Sequence, residues 1–246
     1  MSAINRAIGQ RLAAYLTKTQ GGYQRIDTVS AADVAAILQA GDILLVEGNT
    51  RISTAIKYLT QSSWSHACLY VGGGAEASDV ANLLEADLNY GVRLVSLERY
   101  ANFNIRICRP VDLSSDDTER LIAFAKSKLG HRYDLKNVFD LIRYLIQKPA
   151  VPNRYRRAMI GLGSGEPTMA ICSTLIAESF QSIDYPILPR SGAASETIEG
   201  LTSKLPLYKK RHFTLFTPRD FDLSPYFAVV KPTIEKGFDY RQLNWQ

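Results

Sequence analysis

The chain has 246 residues, of which 46% are hydrophobic and 22% charged, a balance ordinary for a soluble globular protein and a length that easily buries a core. Its net charge of +5 permits contact with an anionic surface without establishing one. Three widely spaced cysteines with no CxxC pair argue against a structural zinc site or a disulfide framework.

The first 25 residues lack the continuous apolar core of a signal peptide, and no run of about 18 apolar residues marks a transmembrane helix. A cytoplasmic or membrane-peripheral location is therefore expected. Residues 2–19 carry Ile4, Ala7, Ile8, Leu12, Tyr15 and Leu16 at helical spacing. A second helix starts at Ser30 as N-cap, places Val34, Ile37 and Leu38 on one side and stops at Gly41. Asp42–Gly48 reads as a short apolar strand, followed by a helix bearing Ile52, Ile56 and Leu59.

His66 leads the next strand, "ACLYVGG". The segment "NLLEADLNYGVRLVSLERY" alternates around a turn at Gly91, which predicts paired strands. "NIRICRPV" is a further strand. "SDDTERLIAFAKSKLG" is a helix with acidic residues in its first turn and Gly130 at its end. "LKNVFDLIRYLIQKP" reads as helical up to Pro149, and "NRYRRAMIGLGSGEP" as a basic, glycine-containing stretch. Ile171–Phe180 starts a new helix, "HFTLFTPRDF" reads as a late strand, and the chain from Ser224 as irregular. Short strands with segregated helices predict an α+β fold.

Cys172 falls in the first turn of its predicted helix. There the positive end of the helix dipole and the free N–H groups favour the thiolate, the nucleophilic form of the side chain. A small buried residue is the competing reading. His66 elsewhere in the chain offers the base that a cysteine nucleophile needs. A carboxylate on a neighbouring strand would fix the tautomer of that imidazole. Glu85 suits this role, with Glu76 and Glu98 as competitors that spacing alone does not eliminate.

Four blocks, "GDILLVEG…STAIKYLTQSSWSHACLYVG", "LLEADLNYGVRLVSL", "KLGHRYDLKN" and "AICSTLIAESF", resemble the permuted papain-like hydrolases of the YiiX/YebB type. These are relatives of the NlpC-type cell-wall peptidases and of lecithin–retinol acyltransferase. The resemblance spans about residues 40–190, and the histidine precedes the cysteine as in the circularly permuted branch. It implies a papain-like antiparallel sheet packed on helices, with the nucleophile at a helix N-terminus. It also implies Cys172 as nucleophile, His66 as base and Glu85 as the orienting residue. Tyr133, in "GHRYD", matches a tyrosine beside the nucleophile, whose hydroxyl would help bind the carbonyl oxygen along with the Cys172 N–H. Trp64 either walls the cleft or packs.

Asp42 in the "GD" turn is expected to accept backbone N–H groups. Ser65 and Ser173 are expected to hydrogen-bond locally, and His131 and His212 to be solvated. Cys68 shares a strand face with His66 and reads as core; Cys108 reads as a strand interior. Too few His and Cys stand at ligand spacing for a zinc site, so no metal or organic cofactor is expected. The basic runs Arg154, Arg156, Arg157 and Lys209–His212 lack an aromatic platform, so no nucleic-acid partner is expected.

The whole chain is expected to form one hydrolase domain. Its core would run from about 40 to 220, after an N-terminal helical extension (1–39) and before a C-terminal tail (221–246). The expected activity is cleavage of an amide or ester through an acyl-enzyme. The substrate would be a lipid or acyl compound or a peptidoglycan-type peptide. Segment 136–168, apolar and basic, would be a lid or a face turned to an anionic membrane. An acyltransferase, or a binding module that keeps the fold without catalysis, stands as the alternative.

Overall fold

The computed structural model describes residues 14–26, 29–73, 82–87, 89–131, 171–191 and 208–242. Six helices, α1 (Ala31–Ala35), α2 (Arg51–Thr60), α3 (Ser115–Ser127), α4 (Ile171–Ser182), α5 (Pro218–Asp222) and α6 (Pro232–Glu235), are named here. The strands are β1 (Ile43–Val46), β2 (His66–Tyr70), β3 (Asn82–Asp87), β4 (Gly91–Ser96), β5 (Ile105–Pro110), β6 (Arg190–Ser191), β7 (Tyr208–Lys209) and β8 (Phe227–Val230). Six of them form one antiparallel sheet in the order β4-β3-β2-β1-β5-β8, and β6 pairs with β7 in a second sheet. The fold is α+β, with helices packed on an antiparallel sheet.

Strand β1 is buried along its whole length because both faces of the sheet are covered, which explains its uninterrupted apolar run. Ile43 and Leu45 join Ala67, Leu69 and Leu84 in a core built with Leu175, Ile176, Ala177 and Phe180 of α4. Leu44 and Val46 point the other way, into a second core with Val34, Cys68, Leu83, Leu97 and Tyr100. The alternation of successive side chains across the pleat thus sorts neighbouring residues into two layers.

Local chemistry sets the element ends. Ser30 caps α1 in a reciprocal capping box with Asp33. This helix ends at Ala35 instead of reaching Gly41, because the chain tightens into turns in which Val34 O accepts from both Ile37 and Leu38. Ser114 caps α3, with Asp116 and Asp117 in the first turn. Asp42 holds the start of β1: its Oδ2 accepts the Gln39 N–H at 2.8 Å, and Arg109 pairs with both carboxylate oxygens at 2.9 and 2.8 Å.

Two stretches fold differently from their sequence reading. The late strand expected over "HFTLFTPRDF" is a 3-10 turn, Phe213–Leu215, followed by helix α5. The helix start is written in Thr217–Asp220: Pro218 stands in the first turn, and Asp220 Oδ2 accepts from both the Thr217 N–H and hydroxyl at 2.8 Å. Beyond Ser224 the chain is regular where Phe227–Val230 closes the sheet as an edge strand on β5. Of the expected N-terminal helix, residues 14–16 are helical and residues 1–13 lie outside the described residues, as does segment 136–168. Among the described residues no helix is long and apolar enough to cross a membrane.

Candidate active site

His66 is the first residue of β2 and pairs with Val46 of β1. The residue before it is pinned: the buried Ser65 donates its N–H to Val46 O and accepts the Gly48 N–H on its hydroxyl at 2.9 Å. A Cβ at Gly48 would lie 2.4 Å from the Ser53 hydroxyl and 2.8 Å from that of Ser65, so a side chain there would force both serines to move. The β2–β3 register pairs Leu69 with Leu84 and Tyr70 with Leu83. Continued, it brings Cys68 opposite Glu85 and leaves His66 diagonal to Glu85 on the same face.

Glu85 is 2% exposed, and its carboxylate is fully engaged. Oε2 stands 2.9 Å from His66 Nε2 and also accepts the Tyr100 hydroxyl. Oε1 accepts the Nε–H of Arg93 at 2.9 Å, with Arg93 Nη2 at 2.9 Å and Arg99 Nε at 3.6 Å. Burial pushes this carboxyl up. The hydrogen bond and positive charge of His66, the Tyr100 hydroxyl and Arg99 outweigh burial and hold it down at about 2. Glu85 is an anion at any working pH.

Cys172 approaches from the other side of the sheet, in the first turn of α4, which packs on β2 and β3. Its sulfur stands within reach of the His66 ring. Burial pushes the thiol up, but the His66 charge and ring nitrogen, with the backbone N–H groups of Ala67 and Ser173, bring it below the ordinary value. Burial pulls the His66 imidazolium down. The surrounding Tyr100, Cys68 and Cys172 nevertheless raise it well above the ordinary value. Both directions favour thiolate with imidazolium. With Nε2 turned to Glu85, Nδ1 is the ring nitrogen left to exchange a proton with a thiol.

A second thiol touches the same ring. The Cys68 sulfur lies within 4.8 Å of a His66 ring nitrogen, yet burial and the nearby Glu85 charge push it up despite the His66 charge. It is fully enclosed in mid-strand, without a helix terminus behind it. Of the two, Cys172 is the thiol set up to ionise. Cys108, in β5, is pushed by burial and by the Asp222 charge up to about 12.

The side-chain donors of His66, Cys68 and Glu85 lie within 4.8 Å of one another, a nitrogen, sulfur and oxygen set of the kind that can hold a divalent ion. Against this, both Glu85 oxygens already accept hydrogen bonds and two guanidinium groups stand beside them. A cation there would displace the first and face the second.

His66, Glu85 and Cys172, singled out in the sequence, are thus brought together. Trp64 packs in the core, donating its indole N–H to Asp222 at 3.1 Å under the Arg106 guanidinium, and lines a groove of about 250 Å³ with Ile105, Arg106 and Val229. Tyr133 lies outside the described residues, as does Glu76, and Glu98 is on the surface. The sequence reading did not pick out Arg93, Arg99 and Tyr100, nor the contact of Cys68 with His66. Arg93 had a signal: a hairpin pairing Asp87 with Gly91 places Glu85 opposite Arg93. Tyr100 had none, because it reaches Glu85 from a 3-10 turn, Leu97–Tyr100, that leaves the sheet.

Residues 37–144 match the family model of the permuted papain-like amidase enzymes, YaeF/YiiX, C92 family. That match bears out the resemblance carried by the first blocks of sequence. Among solved structures, the chain is similar to the crystal structure of metalloprotein yiiX from Escherichia coli O157:H7 (DUF1105). The identity is 16% and the TM-score 0.41, covering 78% of this chain and 96% of that one. No curated protein matches.

Proposed function

We propose that this protein is a cysteine hydrolase that cleaves an amide or ester bond through an acyl-enzyme. The observation that carries the reading is the His66 ring held 2.9 Å from the buried Glu85 carboxylate, with the Cys172 thiol close enough for the His66 charge to pull it below its ordinary value. The amidase family matched by residues 37–144 supports the reaction class.

In this mechanism the Cys172 thiolate attacks the substrate carbonyl carbon, and the carbonyl oxygen takes the displaced electron pair. The N–H groups at the start of α4 stabilise that oxyanion, and the family resemblance implies the same role for the Tyr133 hydroxyl. Protonated His66 donates its proton to the leaving amine or alcohol as the tetrahedral adduct collapses to a thioester. His66, now neutral, takes a proton from water, which attacks the thioester and releases the acid and the thiolate. Glu85 stays ionised throughout and stabilises the imidazolium, as the acid member of a triad does.

The substrate is an acyl lipid or a peptidoglycan-type peptide, and segment 136–168, with its apolar residues and Arg154, Arg156 and Arg157, is the part that would contact an anionic membrane. The expected outcome is a covalent adduct. Incubation with a panel of activated acyl esters and muropeptides, followed by intact-mass measurement, should trap an acyl group on the wild type and none on Cys172→Ala. Release of the acyl group to an added amine would identify a transferase. Turnover that survives Cys172→Ala would refute the reading, and tight binding of a panel member without any adduct or turnover would favour the non-catalytic module.

A further inference from the structure

We propose that Tyr100 and Arg93 are positioning residues of this site, fixing the Glu85 carboxylate as an anion aimed at His66 and so maintaining the Cys172–His66 pair. The proposal rests on Cys172 and His66 being nucleophile and base.

A carboxylate enclosed as Glu85 is stays ionised only if its charge and lone pairs are met within the protein. Each oxygen has its own attendants. Arg93 stands directly opposite Glu85 across the β3–β4 pair and donates its Nε–H to Oε1 at 2.9 Å, with Nη2 in ion-pair contact at 2.9 Å but making no hydrogen bond. Its guanidinium is itself placed, lying 4.2 Å over the Tyr90 ring and 3.8 Å from Asp87 Oδ2. Arg99 faces the same oxygen at 3.6 Å, but is nearly half exposed, so water weakens its effect.

Tyr100 works on the other oxygen. Its hydroxyl donates to Oε2, the oxygen that His66 uses, and its ring centroid lies 5.8 Å from that of His66. Burial pushes the phenol above its ordinary value, so it remains a donor. With Arg93 on one oxygen and Tyr100 on the other, the carboxylate cannot rotate away from His66 without breaking a charge-assisted bond. The groups facing Glu85 are therefore His66 and Cys68 from β2, Arg93 from β4, and Arg99 and Tyr100 from the 3-10 turn. Cys172 of α4 is linked through His66.

Removing Arg93 takes a hydrogen-bond donor and an adjacent positive charge from a buried carboxyl. Its proton affinity then rises from about 2 towards its ordinary value. Once Glu85 takes up that proton, the imidazolium loses its partner and the thiolate is less populated. The acid limb of Cys172 reactivity consequently moves to higher pH. Loss of a residue that served packing alone would change reactivity at all pH values alike.

The test is the rate of iodoacetamide alkylation of Cys172, read by peptide mass spectrometry across a pH series in the full chain. Wild type, Arg93→Met, Arg93→Lys and Tyr100→Phe are compared, with thermal melting to verify folding. The acid limb should move up by about one pH unit in Arg93→Met and in Tyr100→Phe, and return part of the way in Arg93→Lys. Should Arg93→Met fail to fold, Tyr100→Phe decides alone. Limbs coincident with wild type in folded variants overturn the proposal. A wild-type Cys172 with no reactivity below the ordinary thiol range instead overturns the nucleophile assignment, and the proposal with it.

Discussion

Glu85 ties folding to pH as well as ordering the site. Its folded-state proton affinity is held at about 2 against an ordinary 4.5. The associated stability is thus present above about pH 4.5 and is lost as pH falls towards 2. The shift corresponds to roughly 3 kcal/mol, shared with its coupled partners. His66 works in the opposite sense, since its value is raised. Its contribution is complete below its ordinary 6.5 and is lost as pH rises through the folded-state value. Urea denaturation of wild type and Glu85→Gln should therefore show a stability difference that narrows from pH 4.5 to 2; a constant difference would mean that Glu85 is not the anion. The residues legible in sequence were those with a chemical reason visible locally: a thiol at a helix start, a histidine leading a strand, a carboxylate in the next strand. Arg93 and Tyr100 act through distances to Glu85 that depend on hairpin register and on the exit of the chain from β4. Sequence spacing does not display these.

Helices and strands with a marked beginning were legible. Ser114 before Asp116 and Asp117 places α3, and alternation around Gly91 places the hairpin. Helix α5 was misread because Phe213, Thr214 and Leu215 alternate as a strand would, while its start signal lies at Thr217 and Pro218. Asp220 matters most in that element. It is 2% exposed, receives both donors of Thr217, and pairs with Arg211 at 3.1 Å. Asp220→Ala removes the acceptor that holds Thr217 and takes the carboxylate from a largely enclosed Arg211, which keeps its bond to the Leu215 carbonyl. Chemical denaturation should show a loss of roughly 3 kcal/mol. A loss within the range of ordinary surface substitutions would show that Arg211 finds another partner.

The molecule as a whole brings His66, Glu85 and Cys172 together by covering one sheet on both faces. His66 and Glu85 stand on the face of Tyr100 and Cys68, and Cys172 arrives on α4 from the face of Ala67 and Leu84. The central strands were legible because burial on both faces makes them continuously apolar. The closing strand β8 was not, because a four-residue edge strand pairs with β5 from far along the chain and alternates little. What this architecture achieves, on the account above, is a thiolate at Cys172 sustained by an imidazolium at His66. Ultraviolet titration of thiolate absorbance in wild type, Cys172→Ser and His66→Ala tests that claim most directly. The account predicts one thiolate already present at mildly acid pH in wild type, absent from Cys172→Ser, and moved to the ordinary thiol range or above in His66→Ala. An acid-range thiolate that persists in Cys172→Ser, or that His66→Ala leaves in place, would contradict it.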